Sequence, residues 1–168
     1  MASTYELIAT TTLPSAANQI TFTAIPSTYT DIILVFNGDL DSITGASVRV
    51  GNGSIDTTSN YSLTRIWGKT DGTYGSSRET TADQIRWDYW AAGNGNRRTA
   101  IFQFQNYSNT TTNKSVLIRT AIPSTEVLAT VGMWRSTSAI NQIRLMLSGG
   151  SQNYIAGSIA TLYGIKAA

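Results

Sequence analysis

The sequence predicts an all-β protein built as an antiparallel β-sandwich, with about ten strands and little or no helix. Composition is the first indication: charged residues make up only 13% of the 168 residues, about half the usual share of roughly 25%. Thr, Ser, Asn and Gly take their place, and Thr favours strands while the other three favour turns. Periodicity is the second indication, because apolar and polar residues alternate with period 2 and no window carries a convincing helical period.

The strand-like segments follow one another along the chain. "TYELIATTTL" places Tyr5, Leu7 and Ala9 on one face, and "QITFTAI" places Ile20 and Phe22 together. "TDIILVF" is apolar on both faces, which is typical of a central strand covered on both sides. The later segments are "SVRVG", "NYSLTRIWG", "QIRWDYW", "TAIFQFQNY", "KSVLIRTAI", "LATVGMWRS", "NQIRLMLS" and "YIAGSIATLYGI".

Turn-forming residues separate these segments, and each proline lies where a strand is expected to end. We find no linker or second domain, so residues 1–168 are expected to form one domain. The segment "SSRETTADQI", residues 76–85, is compatible with one short helical turn. The predicted loops are 37–46, 51–60, 68–83, 92–98 and 108–114.

The chain lacks the residues that most enzymes need. It has no histidine and no cysteine, which removes the commonest general base, the usual partner of a serine nucleophile and thiolate metal sites. Its ten acidic residues are dispersed, whereas a glycosidase needs two carboxylates in one cleft. We therefore expect no catalytic residue, no cofactor and no enzymatic activity.

Charge and hydropathy argue against nucleic-acid and membrane partners. The net charge is only +2, and the one tight basic pair, Arg97-Arg98, is interpreted as the exposed start of a strand. The N-terminus lacks a basic segment followed by an apolar one, so no signal peptide is predicted. No apolar run approaches the ~20 residues of a spanning helix. A soluble protein made in a cytoplasm is expected.

Two local patterns are candidate binding sites. Asn37, Asp39 and Asp41 alternate in "NGDLDS", a spacing that a hard cation such as Ca²⁺ accepts, although the glycine and glutamate of a full calcium loop are missing. The alternative, which we favour, is an Asx-rich turn at the end of a strand, so no bound metal is predicted.

Aromatic side chains are concentrated in "IRWDYWAAG". Trp87, Tyr89 and Trp90 are candidate contacts for a glycan or a protein partner. The alternative, which we favour, is that Trp87 and Tyr89 pack into the core from one face of a strand while Trp90 lies at a subunit contact.

Both ends of the chain carry a combined motif. Near the start are Ile25-Pro26 and Tyr29-Thr30-Asp31; near the end are Gly157-Ser158 and Leu162-Tyr163-Gly164-Ile165. With "NYSLTRIWG" between them, these segments resemble a family of tailed-phage virion proteins, and the resemblance extends from Tyr5 to Lys166 except for roughly 68–98.

The resemblance implies a β-sandwich of jelly-roll type that serves as a virion surface part and carries no catalytic residue. The first expectation is a capsid decoration (cement) protein, a homo-oligomer with a trimer favoured, which binds the major capsid protein on the outer head surface and stabilises the shell. The alternative is a tail-fibre or receptor-binding module, in contact with tail proteins, that recognises host glycans. In either role the protein is localised to the virion.

The final segment is expected to be a strand inside the sheet, paired with the N-terminal region. Alternation puts Ile155, Ile159 and Tyr163 on one side and Ser158, Ala160 and Leu162 on the other. We expect the bulky set to fill the core and the small set to permit close approach of a second sheet or subunit. Gly164 is expected to allow a sharp turn after the strand.

Overall fold

Two antiparallel sheets stack face to face in the structure, a computed structural model that describes residues 4–42, 44–91, 95–149 and 151–166, with the side chains of 89–91 left out. The larger sheet has eight strands in the order β1-β13-β3-β9-β10-β11-β6-β7, and the smaller has β2-β12-β4-β5 with β8 also paired to β4. The predicted antiparallel β-sandwich of jelly-roll type is confirmed. Among the described residues, no helix has the length and hydropathy to span a membrane.

The strands of each sheet are given in spatial order. The eight-stranded sheet contains β1 (Tyr5–Thr12), β13 (Ile159–Ile165), β3 (Asp31–Gly38), β9 (Arg98–Phe104), β10 (Lys114–Ile122), β11 (Glu126–Trp134), β6 (Tyr61–Lys69) and β7 (Tyr74–Ala82). The five-stranded sheet contains β2 (Gln19–Phe22), β12 (Gln142–Leu147), β4 (Thr44–Asn52), β5 (Ser54–Ile55) and β8 (Ile85–Ala91).

The core lies between the two sheets and is built from alternate residues of each strand. Ile20 and Phe22 point inward as predicted, and Phe102 is fully buried on β9. Strand β3 is also apolar inside, with Leu34 and Phe36 at 0% exposure. Because period-2 alternation directs one face of each strand inward, these faces were readable from the sequence.

Thirteen strands are described, where about ten were predicted, and the difference comes from segments interpreted as loops. Strand β5 lies within 51–60, and β7 occupies most of 68–83, where a helical turn was considered. Strand β7 forms the edge of the larger sheet and is exposed or half-buried along nearly its whole length. Its sequence has no apolar alternation because neither of its faces covers the core.

The C-terminal strand lies inside the sheet, between β1 and β3. It pairs antiparallel with both, so Ile165 is opposite Tyr5 on one side and Asp31 on the other. The predicted pairing with the N-terminal region is confirmed. The predicted direction of its faces is wrong: Ser158, Ala160 and Leu162 are buried inside, whereas Ile159 and Tyr163 face outward.

Candidate interaction surface

The motif residues from the two ends of the chain meet at one corner of the larger sheet. The Tyr29 ring packs against Gly164, where a Cβ atom would collide with it. The Thr30 amide donates to the Ile165 carbonyl at 2.8 Å, and Asp31 accepts from the Asn106 amide at 2.8 Å. Gly164 lies within β13 rather than at a turn, so the expected turning role is wrong. The glycine is required because the aromatic ring approaches so closely.

Ile25 and Pro26 anchor the segment that leads to Tyr29. The Ile25 amide donates to the Asn141 carbonyl at 3.0 Å, and its side chain is 5% exposed. The Tyr107 hydroxyl donates to the Pro26 carbonyl, and burial raises the pKa of Tyr107. These contacts tie the segment to the core, so both residues are structural.

Gly157 and Ser158 hold the approach to β13. Gly157 has φ +80°, a left-handed conformation that favours glycine, and its amide donates to the Leu13 carbonyl at 2.8 Å. The Ser158 hydroxyl is fully buried and accepts from the Asp39 amide at 3.3 Å. The residues that carried the family resemblance therefore connect the N-terminal and C-terminal segments of the chain to each other.

The three residues of the candidate ion site have separate partners. The Asn37 amide donates to Thr99 at 3.1 Å, and Asp41 accepts from the backbone and side chain of Asn153, each at 3.0 Å. Asp39 is 2% exposed and accepts from the Leu40 amide at 2.8 Å and the Gly95 amide at 2.6 Å. The Asx-turn interpretation describes Asp41, and no ion site is assembled from this set.

Asp39 instead belongs to a buried charged cluster that sequence reasoning missed. Arg98, interpreted as exposed, is 0% exposed; it pairs with Asp88 and lies 3.8 Å from Asp39. The buried Tyr154 lies beside this cluster, and burial together with the charge of Asp88 raises its pKa. Buried arginine is rare without a paired acid, and nothing in "NRRTA" distinguishes Arg98 from Arg97. The cluster joins β8 to β9, so its role is structural.

The candidate role of Trp87 as a contact residue for a glycan or a partner is wrong, because its side chain is fully buried. Its ring lies 5.5 Å from that of Phe36 and 5.4 Å from that of Phe102, both in the core. The favoured core interpretation holds for this residue. The side chains of Tyr89 and Trp90 lie outside the described part of the structure, so their candidate role stays a prediction.

The outer face of the eight-stranded sheet is the most unusual surface of the molecule. Each large apolar side chain that is exposed among the described residues lies on this face. They are Tyr5, Leu7, Ile66, Tyr74, Leu117, Val127, Val131, Met133 and Ile159, with exposures from 38% to 86%. An extended apolar surface of this kind marks an interaction site in a soluble protein.

This outer face carries very little charge. Among its described strand positions, the charged residues are Arg119 on β10, Arg78 on β7 and Asp31 at the start of β3. The remaining polar positions are mainly Thr, Ser, Gln and Asn. Depletion of charge is characteristic of the centre of protein–protein interfaces.

The outer face of the five-stranded sheet has a different character. Arg49 pairs with Asp83, and Arg86 with Glu79. Arg144 lies opposite Arg49 and donates to the Thr21 hydroxyl at 3.2 Å. Charges of both signs on this side are typical of a solvated surface.

Two shallow depressions lie on the outer face of the larger sheet, over β6 and β11. One, of about 320 Å³, is bordered by Ile66, Val127 and Ala129. The other, of about 200 Å³, is bordered by Val131, Met133 and Arg78. The surface can therefore receive side chains from a partner.

Comparisons with known proteins give structural likeness alone. No family model matches the chain, and no curated protein matches it. Similar solved structures include CG-16, a homodimeric agglutinin from chicken liver, at 17% identity and TM-score 0.40, covering 86% of this chain and 98% of that one. The alginate lyase Aly36B has 12% identity and TM-score 0.42, with coverage of 94% and 79%. The Caenorhabditis elegans galectin LEC-6 has 8% identity and TM-score 0.41, with coverage of 91% and 94%. At these values the matches carry no argument about function.

Proposed function

We propose that this protein is a structural component of a phage virion, most specifically a capsid decoration (cement) protein that binds the outer head surface and stabilises the shell. One observation carries the proposal: the exposed large apolar residues are gathered on one nearly uncharged face. Such a face suits packing against protein subunits, either those of the shell or further copies of this chain within an assembly. The terminal motifs that resemble virion proteins support the same role.

A decoration protein acts through contact area and repetition. Many identical weak contacts on a symmetric shell together give tight attachment. Contacts that depend little on ion pairs keep their strength over a wide range of salt. The proposed partners are the major capsid protein and further copies of this chain, without nucleic acid or membrane, and the proposed localisation is the virion.

Cosedimentation with phage heads that lack decoration tests this proposal. The purified chain should bind such heads saturably, in a fixed ratio to the major capsid protein, and should slow their disruption on heating. Heads that are already decorated are the control and should bind no further protein. Failure to bind undecorated heads would reject the decoration role.

The tail-fibre alternative requires two different measurements. It depended on an aromatic platform of which Trp87 is no longer part, since that residue is buried. Binding to host-surface glycans on an array, with a few copies per virion by quantitative mass spectrometry, would establish the alternative instead.

A further inference from the structure

We infer that the outer face of the eight-stranded sheet packs against the same face of a second copy, about a twofold axis that runs close to the direction of β9. The inference goes beyond the proposed function and does not depend on it. It concerns what covers the apolar face, whether or not the protein resides on a virion.

Strand β9 is at the centre of the sheet, the fourth of eight strands. Apolar residues project outward on both sides of it. Tyr163 and Ile159 on β13 occupy one half, while Val127 and Val131 on β11 occupy the other. A twofold axis along β9 exchanges these halves, so β11 of one copy faces β13 of its partner.

The strand register shows that apolar positions lie at matching levels. Gln103 on β9 is opposite Ile33 on one side and Leu117 on the other. Leu117 is in turn opposite Val131, and Ile33 is opposite Tyr163. The exchange therefore places Leu117 of one copy over Ile33 of the other, and Val131 over Tyr163.

The level of Thr99, two outward positions along β9 from Gln103, gives the same result. Thr99 on β9 is opposite Asn37 on one side and Ala121 on the other. Asn37 is opposite Ile159, and Ala121 is opposite Val127. Val127 of one copy then meets Ile159 of its partner. Two levels of apolar contact follow from one axis.

The charges on this face are compatible with the same arrangement. Arg78 lies on β7, the eighth strand, which has no counterpart across an axis on the fourth and stays at the rim in water. Arg119 on β10 is opposite Ile101, which is opposite Val35 on β3, so it falls over the partner's Val35 and its long side chain can extend toward the rim. Neither arginine faces the same arginine of the partner across the axis. Arginine is also enriched at protein–protein interfaces.

The available area is sufficient for a stable pair. The seven strands that have a counterpart across the axis, at ~4.8 Å spacing and with about six residues of height at ~3.4 Å each, give roughly 700 Å² per copy. Stable interfaces bury about 800 Å² on each partner. Sheets that pack face to face align their strands within about 30°, which a twofold axis near the strand direction allows.

Sedimentation equilibrium of the full chain tests the inference. The wild-type protein should have twice the 18.1 kDa chain mass, and Val131→Glu should raise the dimer dissociation constant by about 100-fold, because it buries an unpaired carboxylate against the partner's Tyr163. Val131 is 57% exposed in the single chain, so the variant should have the wild-type Tm at a concentration where both proteins are monomeric. Met146→Glu, on the outer face of the five-stranded sheet, is the matched control and should leave dimerisation unchanged.

Crosslinking locates the axis. The chain has no cysteine, so Gln103→Cys supplies one thiol per copy, at the position that faces itself across the axis. A short bismaleimide should convert this variant to a covalent dimer, and Gln19→Cys on β2 should remain uncrosslinked in the same reaction, migrating as a single chain on a denaturing gel.

Three results would overturn the inference: a wild-type monomer at all concentrations, a trimer such as the sequence resemblance implies, or a dimer that Val131→Glu does not weaken. A dimer that fails to bind heads would leave the inference intact and reject the decoration role. Head binding by a monomer would do the reverse.

Discussion

The inner and outer faces of the eight-stranded sheet are both rich in apolar residues, yet they differ in what lies against them. Leu34, Phe102 and Leu162 face inward and are fully buried under the smaller sheet. Val131 and Ile66 face outward and are 57% and 60% exposed. A sheet with one solvated face ordinarily carries polar residues on that side. The inner face accounts for folding, so the outer face requires another explanation, and association provides one.

The largest expected effect comes from comparing an inward and an outward residue of the same strand, β13. Leu162→Ala should lower the free energy of unfolding by about 2–5 kcal/mol, because it opens a cavity at a fully buried position. Tyr163→Ala should cost only about 1 kcal/mol, since that ring faces outward and meets the Tyr5 ring edge-on at 6.5 Å. Urea denaturation, carried out at a concentration where both variants are monomeric, gives the two values. Equal costs would contradict the assignment of faces.

A second comparison uses two glycines of the same sheet. Gly164→Ala should destabilise the protein by about 1–3 kcal/mol, because its Cβ collides with the Tyr29 ring. Gly68→Ala is the control: it lies on β6 with nothing within 4 Å of an added Cβ, and should be neutral or slightly stabilising. Thermal unfolding measures both. If Gly164→Ala leaves Tm unchanged, the connection between the two chain ends does not depend on the contact between Gly164 and the Tyr29 ring.

The smallest expected effect concerns Glu126 on the inner side of β11, which is 4% exposed. Burial and the charge of Asp88 raise its pKa above the ordinary value of 4.5. The folded state therefore holds this proton more tightly than the unfolded state, so the contribution is complete below pH 4.5 and is lost as the pH rises through the folded pKa. Glu126→Gln should remove that loss, being more stable than wild type at neutral pH and equal to it near pH 4. A wild-type advantage at neutral pH would show that the ionised carboxylate is stabilising.

The fold could be predicted because most strands obey alternation strictly, as Ile20 with Phe22 and Phe102 with Phe104 show. The faces of β13 were assigned by bulk, which directed Ile159 and Tyr163 inward. In the structure the small residues Ser158 and Ala160 are fully buried instead, with Ala160 opposite the large Phe36 on β3. The size of a side chain does not determine its direction when both faces of a strand are apolar.

The candidate sites were harder to predict because their partners are distant in sequence. Arg98 is buried because Asp88 on β8 and Asp39, which directly follows β3, pair with it. The outer apolar face was equally hidden, since it depends on the order of eight strands and not on any one segment. The sequence alone did not show which strands are neighbours in the sheet or which of their residues lie opposite each other.

The position of β13 between β1 and β3 also affects the order of folding. A ribosome synthesises β1 and β3 long before β13, yet neither can form its full set of ladder hydrogen bonds without it. Until residues 159–165 emerge, the nascent chain has two unsatisfied strand edges next to an apolar face, which invites misassociation. Contacts of such long sequence separation form slowly. Folding of this sheet is therefore completed after synthesis of β13, and its yield in the cell should depend on how long that gap stays open.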